Sequence, residues 1–227
     1  MPAIELVIFD SDGTLMDTEI IASKVEVEAL AEYGFEMTPK EFGARFAGMN
    51  STDSHKIIEE EIGRSLPDDH FEKVSQKMKE RFWREVKAID GAHTLLDMLD
   101  QPRCICSNSE PEKLKISLTK GELWDRFRPY IYSAYDFDDA KKPKPDLFLH
   151  AAGEFEIAPR ACAVIEDSVS GVIGAKAAGM RVIGFTGGGH TWPGHADMLT
   201  DAGAETVIDK LIHIPELVKA FGEWDGL

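Results

Sequence analysis

Two aspartates, one residue apart, close an apolar run: Leu6-Val7-Ile8-Phe9 leads into Asp10-Ser11-Asp12-Gly13-Thr14. The run reads as a buried strand, and the period-two alternation of a strand places Asp10 and Asp12 on one side with Ser11 turned away. Carboxylates at the end of a buried strand are costly unless a positive charge answers them. The pair therefore implies a metal ion or a catalytic acid pair at that point. Gly13 frees the backbone for a sharp turn.

Other apolar runs also end in polar groups. Arg103-Cys104-Ile105-Cys106 is followed by Ser107-Asn108, and Ala161-Cys162-Ala163-Val164-Ile165 by Glu166-Asp167. The stretch from Ala140 to Asp146 adds Lys142 among prolines. In an open parallel sheet, ligands bind beyond the carboxyl ends of the strands, so these groups are expected to share one site. Hard oxygen ligands of this type suit magnesium. Phosphoryl transfer needs little more from a protein than an in-line nucleophile, neutralisation of the phosphoryl oxygens and a proton for the leaving group. Asp10 can be the nucleophile, forming an aspartyl phosphate. Asp12 can give a proton to the leaving oxygen and later take one from water. Ser107, Asn108 and Lys142 can hold the phosphoryl oxygens. On this division of labour Asp10 is ionised beside the metal, while Asp12 is able to hold a proton.

Stepping outward along the chain, Thr18 to Gly34 has helical period, with Ile21, Val25, Ala29 and Leu30 at three- and four-residue steps. Thr38-Pro39-Lys40-Glu41 is a helix-start signature. Helices are also expected over 54–62 and from 67 to about 85, so that residues 17–86 hold helices and no convincing strand. From Gly91 onward strand and helix alternate, with strands near 103–106, 130–133, 161–165, 181–185 and 206–208. The pattern predicts an α/β fold, a Rossmann-like parallel sheet with helices on both faces. Into it an all-α cap domain is inserted at 17–86, and residues 1–16 and 87–227 form the core.

Composition bounds the function further. With 227 residues, 43% apolar and 29% charged, the chain is large enough to bury a core without covalent staples. Its formal net charge of -16 repels nucleic acid and anionic membrane surfaces, which are not expected as partners. The three cysteines lie in apolar runs and not at metal-ligand spacing. No signal sequence precedes the first strand, and no apolar stretch reaches the roughly 18 residues that span a bilayer. A cytoplasmic protein, monomer or homodimer, is expected.

Four motifs, in order, resemble those of the haloacid dehalogenase superfamily: Asp10-x-Asp12-Gly-Thr14, Ser107-Asn108, Lys142-Pro-Lys-Pro145-Asp146, and Glu166-Asp167-Ser168 with Gly171. Within it the chain is similar to the β-phosphoglucomutase-like phosphatases, which carry a helical cap after the first motif. The resemblance implies that Asp10 is nucleophile and metal ligand, and that Asp12 is acid/base with its backbone carbonyl on the metal. It implies that Ser107 and Lys142 grip the phosphoryl group, and that Glu166 and Asp167 complete a magnesium site. The second aspartate points to phosphatase or phosphomutase chemistry. Mutases of this branch carry a histidine early in the first cap helix and an arginine after a Gly-x-Ser loop, where Ala22 and Ser51 stand here. The expectation is therefore hydrolysis of a small phosphate monoester, a sugar phosphate or a phosphorylated sugar acid such as 6-phosphogluconate. A phosphomutase, and a non-catalytic binding module on the same fold, are the alternatives. The cap loop from Gly48 to Asp53 is expected to shape specificity, with Asn50 and Ser51 touching substrate. His190, in the loop Gly187-Gly188-Gly189-His190, reads as a plain loop histidine.

Overall fold

A computed structural model describes residues 2–46, 49 and 51–223. Its centre is a six-stranded, all-parallel sheet of β1 (Leu6–Phe9), β2 (Arg103–Ser107), β3 (Ile131–Ser133), β4 (Cys162–Glu166), β5 (Arg181–Phe185) and β6 (Thr206–Ile208), in the order β3-β2-β1-β4-β5-β6. β1 is central. The chain builds outward from it to one side through β2 and β3, then returns to its other flank with β4. That reversal is where an open parallel sheet leaves a crevice.

Register places the chemistry. Phe9 stands beside Ile105 on one flank and Ile165 on the other. One residue further on, Asp10 therefore lies between Cys106-Ser107 and Glu166. The Asp10 amide donates to the Ile165 carbonyl at 2.9 Å, which carries the pairing past the last strand residue.

Each strand is apolar on both sides because helices cover both faces. Val7, Phe9, Ile105, Ile165 and Ile183 point into one layer, with α5 (Ala92–Met98), α6 (Pro111–Lys120), α7 (Trp124–Phe127) and α11 (Ile214–Glu223). Leu6, Ile8, Cys104, Val164 and Val182 point into the other, with α8 (Asp146–Glu154), α9 (Val169–Ala177) and α10 (His195–Asp201). All three cysteines are buried free thiols in this second layer.

Between β1 and β2 lie four helices, α1 (Glu19–Ala31), α2 (Pro39–Phe46), α3 (Ser51–Ile62) and α4 (His70–Glu85). The start of α2 shows the expected reciprocal cap. Glu41 accepts from the Thr38 amide at 2.8 Å, and the Thr38 hydroxyl accepts from the Glu41 amide at 3.2 Å. The helices pack on small cores of their own, one holding Leu30, Phe42 and Ile58 and another Val25 and Val74. Ile21 and Phe82 join the sheet's first layer. The chain enters and leaves this insert side by side: Met16 bridges Ala88 in antiparallel fashion, Asp17 donates to the Lys87 carbonyl and Ile89 to that of Leu15. Among the described residues no helix is long and apolar enough to cross a membrane.

Two helices, α7 and α10, go beyond the elements expected from the sequence. α7 has four residues, below the length at which a helical period can be read, and α10 (seven residues) follows a glycine-rich loop and buries only His195 and Leu199. The ring of Phe127 in α7 meets Phe9 edge-on, centroids 5.8 Å apart. Phe127→Ala should lower the unfolding free energy by about 3–5 kcal/mol in a urea titration. A loss below about 1 kcal/mol would mean that this ring is not part of the packed layer.

Candidate active site

Lys142 lies at the bottom of the crevice, almost wholly buried. Its ammonium donates to Asp10 Oδ1 at 2.5 Å and to Glu166 Oε1 at 2.6 Å. Glu166 uses its other oxygen to accept from the amide and hydroxyl of Ser168. Ser168 caps α9, its hydroxyl accepting from the Gly171 amide. A Cβ at Gly171 would collide with the Glu166 carboxylate, which explains the glycine. Asn108 holds the Lys142 backbone by two bonds, accepting its amide at Oδ1 (2.9 Å) and donating to its carbonyl from Nδ2 (3.3 Å). The asparagine expected at the phosphoryl group thus also positions the lysine. Ser107 turns its hydroxyl to the Ser109 amide at 3.0 Å and lines the cavity.

Asp10, Glu166 and Asp167 each present a carboxylate oxygen within 4.8 Å of the others, all three residues buried. Asp167 accepts from the Thr14 hydroxyl at 3.0 Å and pairs with His190 Nε2 at 2.9 Å. Its main-chain carbonyl lies 2.7 Å from His195 Nε2. Gly13, at φ +84°, turns the loop so tightly that a Cβ there would strike Asp167. Lys142 answers Asp10 and Glu166, and His190 answers Asp167, so the three buried carboxylates still outnumber the cationic groups beside them. Burial first, and then the neighbouring Glu166 and Asp167, hold the Asp10 carboxyl well above the usual carboxylate range despite Lys142. Burial pulls the Lys142 ammonium down, but Asp10 and Glu166 outweigh it and its pKa is raised. Hard, buried, electrically unbalanced oxygens are a fitting donor set for a divalent cation.

Asp12 points elsewhere. One oxygen accepts from Thr18 at 2.6 Å and lies 3.2 Å from the Lys113 ammonium, and the other accepts from the Ser109 hydroxyl. Burial pushes its carboxyl up, but Lys113 and the hydrogen bonds from Ser109 and Thr18 outweigh this and the pKa is lowered. Without a metal ion, then, the groups around Asp12 favour its carboxylate, and those around Asp10 disfavour ionisation there. The main cause at Asp12 is Lys113, which no motif singles out. It stands in the first turn of α6, beyond the carboxyl end of β2, and its ammonium donates to the Ser109 hydroxyl at 3.2 Å. His190 is likewise not a plain loop histidine. It is buried against Asp167, which with its hydrogen bond raises the imidazole pKa against the lowering by burial. His190 follows the carboxyl end of β5, where a loop residue can reach the crevice.

Above these groups a cavity of about 740 Å³ separates the sheet edge from the insert. Its floor includes Asp10, Asp12, Lys142 and Asp167, and its far wall Glu19, Ala22, Ser23, Glu26 and Phe46. Lys142 is the one lysine or arginine in the described lining. Asn50 lies outside the described residues, as does the side chain of Ser51. Their neighbours Met49 and Ser54 do line the cavity.

The haloacid dehalogenase-like hydrolase family matches residues 7–185, and the chain belongs to that family. It is 34% identical over 227 residues to a 6-phosphogluconate phosphatase of Escherichia coli (strain K12), 99% of each chain being covered. A haloacid dehalogenase-like protein of unknown function from Agrobacterium tumefaciens str. C58 is 48% identical with a TM-score of 0.92, covering 96% of this chain and 99% of that one. A family hydrolase from Deinococcus radiodurans R1, solved with bound phosphate and sodium, is 29% identical with a TM-score of 0.89 over the full length of both chains. Within the family this chain is a phosphoric monoester hydrolase.

The Lys113–Asp12 pair is directly testable. In metal-free protein, Lys113→Met should raise the Asp12 carboxyl pKa, because the substitution removes the cation that favours the carboxylate. A carbon-13 NMR titration of the side-chain carboxyl measures this. An unmoved Asp12 would assign the lowering to Ser109 and Thr18 alone.

Proposed function

We propose that this chain is a magnesium-dependent phosphatase of small polyhydroxylated phosphate esters, working through an aspartyl phosphate on Asp10. The observation that carries the reading is the convergence of Asp10, Glu166 and Asp167 with Lys142 on the floor of the cavity. Asp10, Glu166, Asp167 and the main-chain carbonyl of Asp12 would hold the magnesium ion, with the Glu166 carboxylate also serving Lys142 and Ser168. When bound, the ion supplies positive charge to the phosphoryl oxygens and keeps Asp10 ionised.

The steps then belong to side chains. A carboxylate oxygen of Asp10 attacks phosphorus in line, and the bond from phosphorus to the ester oxygen breaks. Asp12 gives its proton to that oxygen as the alcohol leaves. A water molecule next attacks the phosphorus of the aspartyl phosphate and passes a proton to Asp12, releasing inorganic phosphate and restoring Asp10. Asp12 is ionised in the free protein, and the arriving phosphate resolves the difficulty. A second negative charge beside a carboxylate raises its pKa, so seating the substrate favours the protonated acid that the first step needs. Lys142 and Ser107 steady the phosphoryl oxygens, and Asn108 holds Lys142 in place.

The substrate class follows from the wall opposite the floor. Serine hydroxyls and carboxylates there, Ser23, Ser54, Glu19 and Glu26, suit the hydroxyls of a sugar or polyol chain, and the cavity volume suits a small ester. The similarity to the 6-phosphogluconate phosphatase makes that ester, with hexitol phosphates, the first to try. Ala22 lines the cavity and cannot carry a proton between sugar oxygens, which supports hydrolysis over a phosphomutase reaction. Residues 17–86 are proposed to act as a cap domain on a core of 1–16 and 87–227, excluding water once substrate is seated.

A screen of phosphate esters with magnesium, measuring released phosphate and product identity together, tests the whole reading. Free phosphate is expected, whereas an isomeric phosphate ester would make the chain a mutase, and no turnover of any ester would favour a binding module. Asp10→Asn should abolish release with the circular dichroism spectrum unchanged, and residual full activity there would remove the nucleophile assignment. Chelation of divalent metal should stop turnover, and magnesium should restore it.

A further inference from the structure

The helical insert contains a second group of metal-ligating side chains, sharing no residue with the first. Glu26 of α1, His55 of α3 and His70, the first residue of α4, each offer a ligand atom, and these atoms lie within 4.8 Å of one another. Both histidines are buried, 4% and 2% exposed. His55 Nε2 lies 3.2 Å from Glu26 Oε2, a separation compatible with two ligands on one ion at about 2.0–2.2 Å each. Packing alone leaves a residue unexplained. The rings of Tyr33 and Phe71 do surround the two imidazoles. Yet His70 Nε2 is buried with no hydrogen-bond partner among the described residues, and a buried imidazole nitrogen without a partner is costly. Burial, and next the neighbouring His55, hold His70 below the ordinary histidine range, which leaves the ring neutral and able to ligate at neutral pH.

We propose that Glu26, His55 and His70 form a binding site for a zinc-type transition metal ion that fastens three helices of the insert together. Two imidazoles and one carboxylate suit zinc and its neighbours, and not magnesium, which takes oxygen ligands. Each ligand comes from a different helix. One apolar cluster of the insert contains Val27 and Leu30, and the other Val25 and Ala29. The first cluster also holds Ile58 of α3 and the second Val74 of α4, so an ion held by α1, α3 and α4 joins two cores that are each small. Such small cores gain most from a metal staple. Glu26 also lines the active-site cavity. An ion on it would offset one of the carboxylates that face the substrate.

Zinc and cobalt(II) titrations of full-length, chelator-stripped protein test this, with variants that separate the two acidic groups. Asp167→Asn should still bind one zinc ion, give the visible ligand-field absorption of cobalt bound to nitrogen, and show a zinc-dependent rise in Tm. Added to Asp167→Asn, His70→Gln should lose all three, with zinc affinity falling by more than the roughly 10–100-fold that loss of a merely supporting group costs. His70→Phe keeps an aromatic ring in the same packing. In the same Asp167→Asn background it should fold and fail to bind, which separates loss of a ligand from loss of the fold. Absence of zinc binding in the wild type overturns the proposal. So does zinc binding that disappears in Asp167→Asn, or that persists undiminished when His70→Phe is added to it.

Discussion

Three buried carboxylates around one buried lysine set the terms for the rest of this molecule. Removing four charges from water is expensive, and the attraction among them repays the cost only where every oxygen is satisfied. The surrounding structure can be read as the means of satisfying them. β4 delivers Glu166 and Asp167 beside Asp10, and Asn108 clasps the backbone of Lys142 from both sides. α9 starts where its capping serine can also serve Glu166. Glycines at 13 and 171 leave room that a Cβ would take. The excess of acid over base is what remains, and it is the part that a cation answers.

The same balance divides the work of the two aspartates. Asp10 lies in the acid-rich pocket, where burial and like charge oppose ionisation, and Asp12 lies where a lysine and two hydroxyls favour it. Two carboxyl groups two residues apart thus meet opposite fields, because β1 ends at Phe9 and the Gly13 turn breaks the alternation that would have kept them on one side: one faces the sheet's crevice and the other the helix that follows β2. A cation bound among the first group would lower the pKa of Asp10, and an anion beside the second would raise that of Asp12.

How much of this was legible depended on how each residue reaches the site. Asp10, Ser107, Glu166 and Asp167 sit at or just beyond strand ends, so an apolar run followed by a polar pair reveals them. The parallel sheet and its two helical layers follow from the same alternation. Lys113 arrives by a turn of helix and His190 by a glycine-rich loop, and neither path leaves a one-dimensional mark. His55 and His70 come together from separate helices, through packing that no spacing records. α7 and α10 are hidden for a related reason: α7 is a single turn, and α10 buries only His195 and Leu199, too few positions to show a period, whereas α5, of the same length, buries Ala92, Leu95 and Leu96.

The paired segments that carry the chain into and out of the helical insert have a consequence for the acid itself. Met16 bridges both Asp12 and Ala88, so the aspartate loop runs directly into this ribbon. Thr18, just past the ribbon on the insert's side, donates to Asp12, while Ser109 and Lys113 hold Asp12 from the sheet's side. The acid is therefore solvated jointly by the two halves of the molecule. Loss of the Thr18 donor alone would leave the other two and make Asp12 a stronger base. The proton affinity at the floor of the crevice is thus tied to the position of the first insert helix.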